Sequence, residues 1–155
     1  MERKTIIDAA EGRCDLSITR AFDLPLNLLY RAYTEAEFVA EWMGTKVLQL
    51  DRHSMGGYRF ETSDSQGNVL FKAHGTLHEV LPEQRIVRTF EMEGAGLGAQ
   101  LEFLEFEALD EDRSQLRIHT LYRTAALRDR QLSMPFAYGI NMAHDRLEKI
   151  MLNKL

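Results

Sequence analysis

His144 is the side chain of this sequence best suited to acid–base chemistry. It falls near the apolar edge of an amphipathic stretch close to the last residue, and Asn141 lies three residues earlier on the same side. A neutral histidine there could orient a carbonyl or hydroxyl group, or act as a base near pH 7. A histidine at the edge of the surface fits the pattern better, because one residue makes neither a dyad nor a triad. His144 is therefore a weak catalytic candidate.

Tyr58 and Tyr122 could offer hydroxyl groups to a ligand beside His144. Both fall in stretches where polar and apolar residues alternate, and each lies on the parity expected to face inward. A buried tyrosine, however, usually only satisfies its own hydroxyl. These three residues are the only catalytic set that the sequence offers, and they form no convincing constellation, so the question of an enzyme stays open.

Other groups of reactive residues fail on geometry. His74 and His78 share one face of a predicted strand but lie about 13 Å apart, which is too far for one metal ion. Gly94, Gly96 and Gly98 lack the spacing and the following helix of a dinucleotide fingerprint, and they indicate a mobile loop, a possible lid, near a pocket rim. We therefore expect neither a metal nor a cofactor.

Charge and composition exclude several classes of protein. Glu102, Glu105 and Glu107 predict a solvated acidic strand edge rather than a paired-carboxylate catalyst. The formal net charge of −5 argues against a nucleic-acid partner. No apolar run reaches 18 residues and the first residues lack a signal-peptide core, so we expect a cytoplasmic protein without a membrane span.

The elements that must position these residues follow from periodicity. Residues 1–12 are polar and predict a flexible segment, and residues 13–155 predict a single domain. A first strand is followed by two short helices, which have start signals at Pro25 and Thr34. About six strands come next, and Leu127 to Leu152 then predicts one long helix that bends at Pro135. Consecutive strands with short turns indicate an antiparallel sheet, and helices at both ends of the chain give an α+β fold.

Motifs distributed along the chain resemble a known family. They are Arg20-Ala21-Phe22-Asp23-Leu24-Pro25, then Thr34, Glu37 and Trp42, then Asp51, Gly56 and Tyr58-Arg59-Phe60, then the strand and turn from Gly75 to Phe90, and finally Arg128-Asp129, Gly139 and Asp145-Arg146-Leu147. Their joint order, over about Asp15 to Leu152, resembles the START-like (SRPBCC) superfamily, and more closely its branch of heat-shock protein 90 ATPase activators. Met43, Met55, Ala73 and Met134-Pro135-Phe136 depart from the pattern, so substrate preference cannot be carried over.

The resemblance implies a helix-grip (START-like or Bet v-like) fold, in which a curved antiparallel sheet of about six to seven strands wraps around the long last helix. It also implies a cavity between sheet and helix. Taken singly, each aromatic side chain is more readily plain core than a ligand contact. As a set, the candidate ligand-binding residues are Trp42 and Met43 at the mouth, with Tyr58, Phe60, Phe71, Ala73, Thr120, Tyr122, Phe136, Ile140, Asn141 and His144.

Three functions are compatible with such a domain. The first is a module that binds a hydrophobic or aromatic small molecule in the cavity. The second is an enzyme of the aromatase/cyclase type that uses the same cavity. The third is a chaperone contact that stimulates an ATPase, as the name of the branch implies. A homodimer is a further possible assembly.

Overall fold

The computed structural model describes residues 4–155. In these residues one antiparallel sheet contains all eight strands, in the order β1-β2-β8-β7-β6-β5-β4-β3. The strands are β1 Ile6–Asp8, β2 Asp15–Phe22, β3 Lys46–Leu50, β4 Gly56–Ser63, β5 Val69–Leu81, β6 Arg85–Met92, β7 Gln100–Ala108 and β8 Ser114–Leu121. The predicted antiparallel sheet is confirmed, with more strands than the expected six to seven.

Four helices accompany the sheet in the described part of the chain, namely α1 Leu26–Thr34, α2 Ala36–Met43, α3 Ala125–Ser133 and α4 Phe136–Leu152. The two short helices follow the first long strand, as the start signals predict. The structure is thus α+β, and the long helix near the last residue lies against one face of the sheet. We call that face the concave face.

The expected flexible segment of residues 1–12 contains a strand. Residues 1–3 lie outside the described part of the chain, but Ile6–Asp8 form β1 and pair with β2, with Ile7 opposite Ile18. The backbone N–H of Thr5 donates to Oδ1 of Asn141 over 3.0 Å, which fixes this segment to α4. Three residues are too few to show a period of two, so the sequence pattern could not indicate this strand.

The last helix is broken rather than bent. Helix α3 begins after Thr124, whose side chain accepts a hydrogen bond from the N–H of Leu127, and it ends at Ser133. Pro135 has no N–H to donate and disfavours a helical conformation at the residue before it. Met134 is accordingly extended, with ψ 166°. Two helices therefore stand where the sequence predicts one.

The core lies between the concave face and the helices. Alternate residues of β2 and β8 are buried there, as expected for strands with one covered face. Leu147 and Met151 of α4 are fully buried above them. The buried side chains of this cluster include Leu16, Ile18, Phe22, Leu28, Leu29, Leu104, Leu116 and Ile118. Helix α4 is therefore anchored through its second half.

Candidate functional site on the concave face

An ion pair lies on the concave face between two central strands. Arg88 of β6 and Glu102 of β7 are register partners, and Nε of Arg88 donates to Oε1 of Glu102 over 2.8 Å. Their side chains are only 15% and 11% exposed. Nε2 of Gln100 donates to the other carboxylate oxygen over 2.9 Å. The guanidinium carbon lies 5.4 Å from the centre of the Tyr58 ring, which adds a cation–π contact. The guanidinium is thus held on two sides.

Arg88 stays charged inside the protein. Burial lowers the pKa of Arg88, while the Glu102 carboxylate raises it, and the net pKa lies above the ordinary value. An arginine keeps its proton in proteins in any case. The site therefore offers one fixed positive charge and one carboxylate that is already compensated by it.

Glu102 corrects the expectation of a solvated acidic edge. Glu105 and Glu107 are exposed, as predicted, but Glu102 is buried on the opposite face of the same strand. The prediction was wrong for Glu102 because β7 is apolar on both faces, with Phe103 on one and Leu104 on the other. Alternation alone therefore could not tell which face is inside.

The two tyrosines proposed for ligand contact both use their hydroxyls within the protein. The Tyr58 hydroxyl donates to the carbonyl oxygen of Thr89, and the Tyr122 hydroxyl donates to Oε1 of Gln131. The Tyr58 ring reaches Thr89 across Gly75, where an added Cβ would lie 2.0 Å from that carbonyl oxygen. Burial raises the pKa of both tyrosines. Neither hydroxyl is an available acid or base near neutral pH.

The other predicted residues of the sheet and the long helix fall into two classes. Phe60, Ala73 and Thr120 are buried on the concave face, and Thr120 is the register partner of Glu102. Phe71 of β5 and Phe136 and Ile140 of α4 are only half-buried. The same partial burial is found for Phe90 and Met92, at the end of β6 that leads into the 93–99 loop.

His144 is fully buried, so it is not a histidine at the edge of the surface. Its Nδ1 lies 3.0 Å from Oγ1 of Thr5 and its Nε2 lies 3.2 Å from the Tyr33 hydroxyl. Burial, and then the nearby charge of Arg20, lower the pKa of His144 to about 3, while Asp145 acts in the opposite direction. His144 therefore stays neutral near pH 7 and has no free nitrogen for a substrate among the described residues.

Asn141 and Trp42 also lie away from the concave face. Asn141 accepts the Thr5 hydrogen bond described above, on the side of α4 that faces β1. Trp42 is buried and its Nε1 donates to the carbonyl oxygen of Ala32 over 2.7 Å. Trp42 thus belongs to the core between helices rather than to a cavity mouth, and Met43 beside it is half-buried.

A second polar network positions α4. The fully buried Arg20 of β2 donates from Nη1 to Oδ1 of Asp145 over 2.7 Å, and its Nη2 lies 3.5 Å from Oε1 of Glu148. Arg20 and Asp145 belong to the first and last motifs of the family resemblance. Their pairing fixes the long helix over the sheet.

The predicted lid loop, residues 93–99, lies against α3. Leu97 at its tip is buried. Gly96 has φ +73°, and a Cβ there would lie 3.0 Å from Nη1 of Arg130. The loop follows β6, so it borders the end of the concave face where Phe90 and Met92 are half-buried.

The clearest surface grooves are on the other face of the sheet, and they are polar. One of about 480 Å³ is lined by Gln84, Arg85, Glu105, Phe106, Glu107, Gln115 and Arg117. Another of about 390 Å³ is lined by Arg13, Asp15, Ser17, Phe103, Glu105, Arg117 and His119. Both grooves mix positive and negative side chains, so neither selects a ligand of one charge.

Within residues 4–155, no group of three His, Cys, Asp or Glu residues could hold a metal ion. None of the helices in these residues has the length and apolar character that a membrane span needs.

The antiparallel sheet with the long helix against its concave face defines a helix-grip protein. The family model described as "Activator of Hsp90 ATPase homolog 1-like protein" matches residues 23–151, so the chain belongs to this family, and the predicted resemblance is confirmed. No match was found among the curated proteins.

Solved bacterial structures share the fold. A Rhodobacter sphaeroides protein is 20% identical, with a TM-score of 0.83 over 97% of this chain and 100% of that one. An Arthrobacter aurescens protein is 12% identical, with a TM-score of 0.84 over 96% and 91%. A Nitrosomonas europaea protein is 20% identical, with a TM-score of 0.77 over 92% and 96%. At these identities the likeness establishes the helix-grip fold alone.

Proposed function

We propose that this domain binds an apolar or aromatic small molecule between the concave face of the sheet and α4. The proposed site, which we call the concave cleft, has Arg88 and Glu102 at its inner end. Its walls are the half-buried side chains of the sheet and of α4, namely Phe71, Phe90, Met92, Phe136 and Ile140.

The partial burial of these apolar side chains is the observation that supports the proposal. Leu104 and Leu116, at the centre of the same face, are completely covered by the helices. Side chains on the covered face of a sheet stay accessible only where the overlying layer leaves a gap. Apolar walls with a few polar groups that fix orientation are the usual composition of a small-molecule site.

Ala73 provides the test, because its small side chain lies between the register partners Phe60 and Met92. Titration with the neutral fluorophore 6-propionyl-2-dimethylaminonaphthalene should give a saturable blue shift for the natural protein. Ala73→Phe should weaken that binding at least tenfold while the protein remains folded by circular dichroism. Ala21→Phe, at an exposed position on the outer face of β2, is the matched control and should bind normally. Equal affinity of both variants and the natural protein would refute the location of the site.

The family match favours chaperone stimulation as a second candidate function. The match rests on a family named for activators of the Hsp90 ATPase. The assay is the steady-state ATPase rate of Hsp90 with and without a molar excess of this domain. A rise of twofold or more would support this function, and an unchanged rate would remove it.

The enzymatic alternative has no such support. An aromatase/cyclase reaction needs an acid or base beside the ligand. The buried hydroxyls of Tyr58 and Tyr122 and both nitrogens of His144 already have partners.

A further inference from the structure

We infer that the concave cleft selects uncharged ligands that carry a carbonyl or hydroxyl oxygen, and that Arg88 donates the hydrogen bonds to that oxygen. This inference rests on the proposed function and deepens it. The sequence motifs assign no role to Arg88, and the family match assigns none.

Arg88 has N–H groups that no hydrogen bond within the described residues uses. A guanidinium carries five N–H groups. The Nε–H of Arg88 donates to Glu102, and no hydrogen bond within residues 4–155 uses Nη1 or Nη2. Within residues 4–155, the fully buried side-chain nitrogens without a hydrogen-bond partner belong to Arg20 and His74, and none belongs to Arg88. The Arg88 side chain keeps 15% of its surface exposed, so these unused N–H groups could meet a ligand in the cleft.

The orientation of these donors is fixed in advance. Glu102 holds one side of the guanidinium, and the Tyr58 ring lies under its face at 5.4 Å. Gln100 in turn holds the second oxygen of Glu102. A donor group that does not have to be ordered on binding loses less entropy, so each hydrogen bond to the ligand contributes more.

The neighbouring carboxylate decides which acceptor fits. Arg88 and Glu102 together are neutral. A ligand carboxylate on Arg88 would place a second anion beside Glu102 in largely apolar surroundings, where like charges strongly disfavour each other. A ketone, ester, amide or hydroxyl oxygen accepts the same N–H groups and adds no charge. The ligand class is therefore a neutral apolar or aromatic molecule with an oxygen acceptor at one end.

Three naphthalenes of matched shape test the inference by isothermal titration at pH 7.5. They are 2-acetonaphthone with a carbonyl oxygen, 2-naphthoate with a carboxylate, and 2-ethylnaphthalene with no acceptor. The natural protein should bind 2-acetonaphthone at least tenfold more tightly than either of the others. Glu102→Gln should reverse the order of the first two, because the charge of Arg88 is then uncompensated and attracts the anion. Arg88→Met should bind 2-acetonaphthone no more tightly than 2-ethylnaphthalene, because the donor to the carbonyl oxygen is lost. Glu105→Gln, on the outer face of the same strand, should keep the natural order.

The outcomes separate the two proposals. If the natural protein binds all three naphthalenes with equal affinity, or if Glu102→Gln keeps the natural order, the role of Arg88 is refuted while a cleft for apolar molecules stands. If the natural protein binds none of the three, the cleft itself is refuted. If either variant fails to fold, the order of the three affinities for the natural protein still decides.

Discussion

Lowering the pH from 8 to 5 should destabilise the protein through His144. The pKa of His144 is about 3 in the folded state, against an ordinary value of 6.5 that we assign to the unfolded chain. A histidine whose folded pKa is depressed contributes stability that is complete above pH 6.5 and is lost as the pH falls toward 3. From these two values, the free energy of unfolding should fall by about 2 kcal/mol between pH 8 and pH 5.

The physical cause is the surroundings of the imidazole. Protonation would create a charge at a completely buried position, next to the Arg20 guanidinium. Asp145 opposes that repulsion but does not balance it, because its carboxylate already accepts from Arg20. The Thr5 and Tyr33 hydroxyls can bond to the ring in either neutral tautomer, so they do not require the proton.

Urea unfolding at pH 8, 7, 6 and 5, followed by the fluorescence of Trp42, measures the effect. His144→Gln should be less stable than the natural protein at pH 8, but its free energy of unfolding should change by about 2 kcal/mol less between pH 8 and pH 5. His78→Gln, at an exposed position on β5, is the control and should follow the natural profile. The lowered pKa values of Asp15 and Asp64 affect stability only below this range.

Parallel profiles for His144→Gln and the natural protein would refute the reasoning. They would mean that His144 titrates with an ordinary pKa in the folded state, and hence that it is solvated rather than enclosed.

Five further substitutions, in two matched pairs and one single change, test the packing by chemical denaturation. Gly75→Ala places a Cβ 2.0 Å from a backbone oxygen and should cost about 3 kcal/mol or more, whereas Gly139→Ala meets nothing within 4 Å and should stabilise α4 by about 0.5–1 kcal/mol. Leu147→Ala, fully buried, should cost about 2–5 kcal/mol, whereas Leu152→Ala, 40% exposed, should cost less than about 0.5 kcal/mol. Thr5→Val removes a hydroxyl partner of the buried histidine and arginine, so it should cost about 1–2 kcal/mol and accelerate amide hydrogen exchange in β1. Equal costs within either matched pair, or unchanged exchange in β1, would contradict the packing described.

Much of the fold could be predicted from the sequence because most strands have one solvent-exposed face and one buried face. In β2 and β8 burial alternates residue by residue, and the apolar Leu16, Ile18, Leu116 and Ile118 all fall on the buried parity. The pattern failed where an element is too short to show a period, as in β1. It also underestimated Pro135, which ends a helix rather than bending it.

The candidate site was harder to predict because charged residues are assigned to solvent by default. The parity of Tyr58 and Thr120 placed them correctly on the inner face. Arg88 also had a local signal. It lies two residues from both Ile86 and Phe90, so it shares their face of β6. Recognising its ion pair required the register that sets it opposite Glu102, and that register follows from the sheet and not from local pattern.

The stability of the Arg88–Glu102 pair separates a structural role from a binding role. A buried ion pair loses hydration on folding, so its replacement by apolar residues of similar volume is often neutral or stabilising. Arg20 is sealed and fixes a helix, but Arg88 and Glu102 connect two strands whose backbones are already paired. The triple variant Arg88→Met with Glu102→Leu and Gln100→Met also removes the amide that donates to Glu102. It should therefore unfold at the same urea concentration as the natural protein or a higher one, while it loses the preference for 2-acetonaphthone. A loss of more than about 2 kcal/mol in this variant would mean that the pair serves the fold, because removing both partners leaves no unpaired charge to account for the cost.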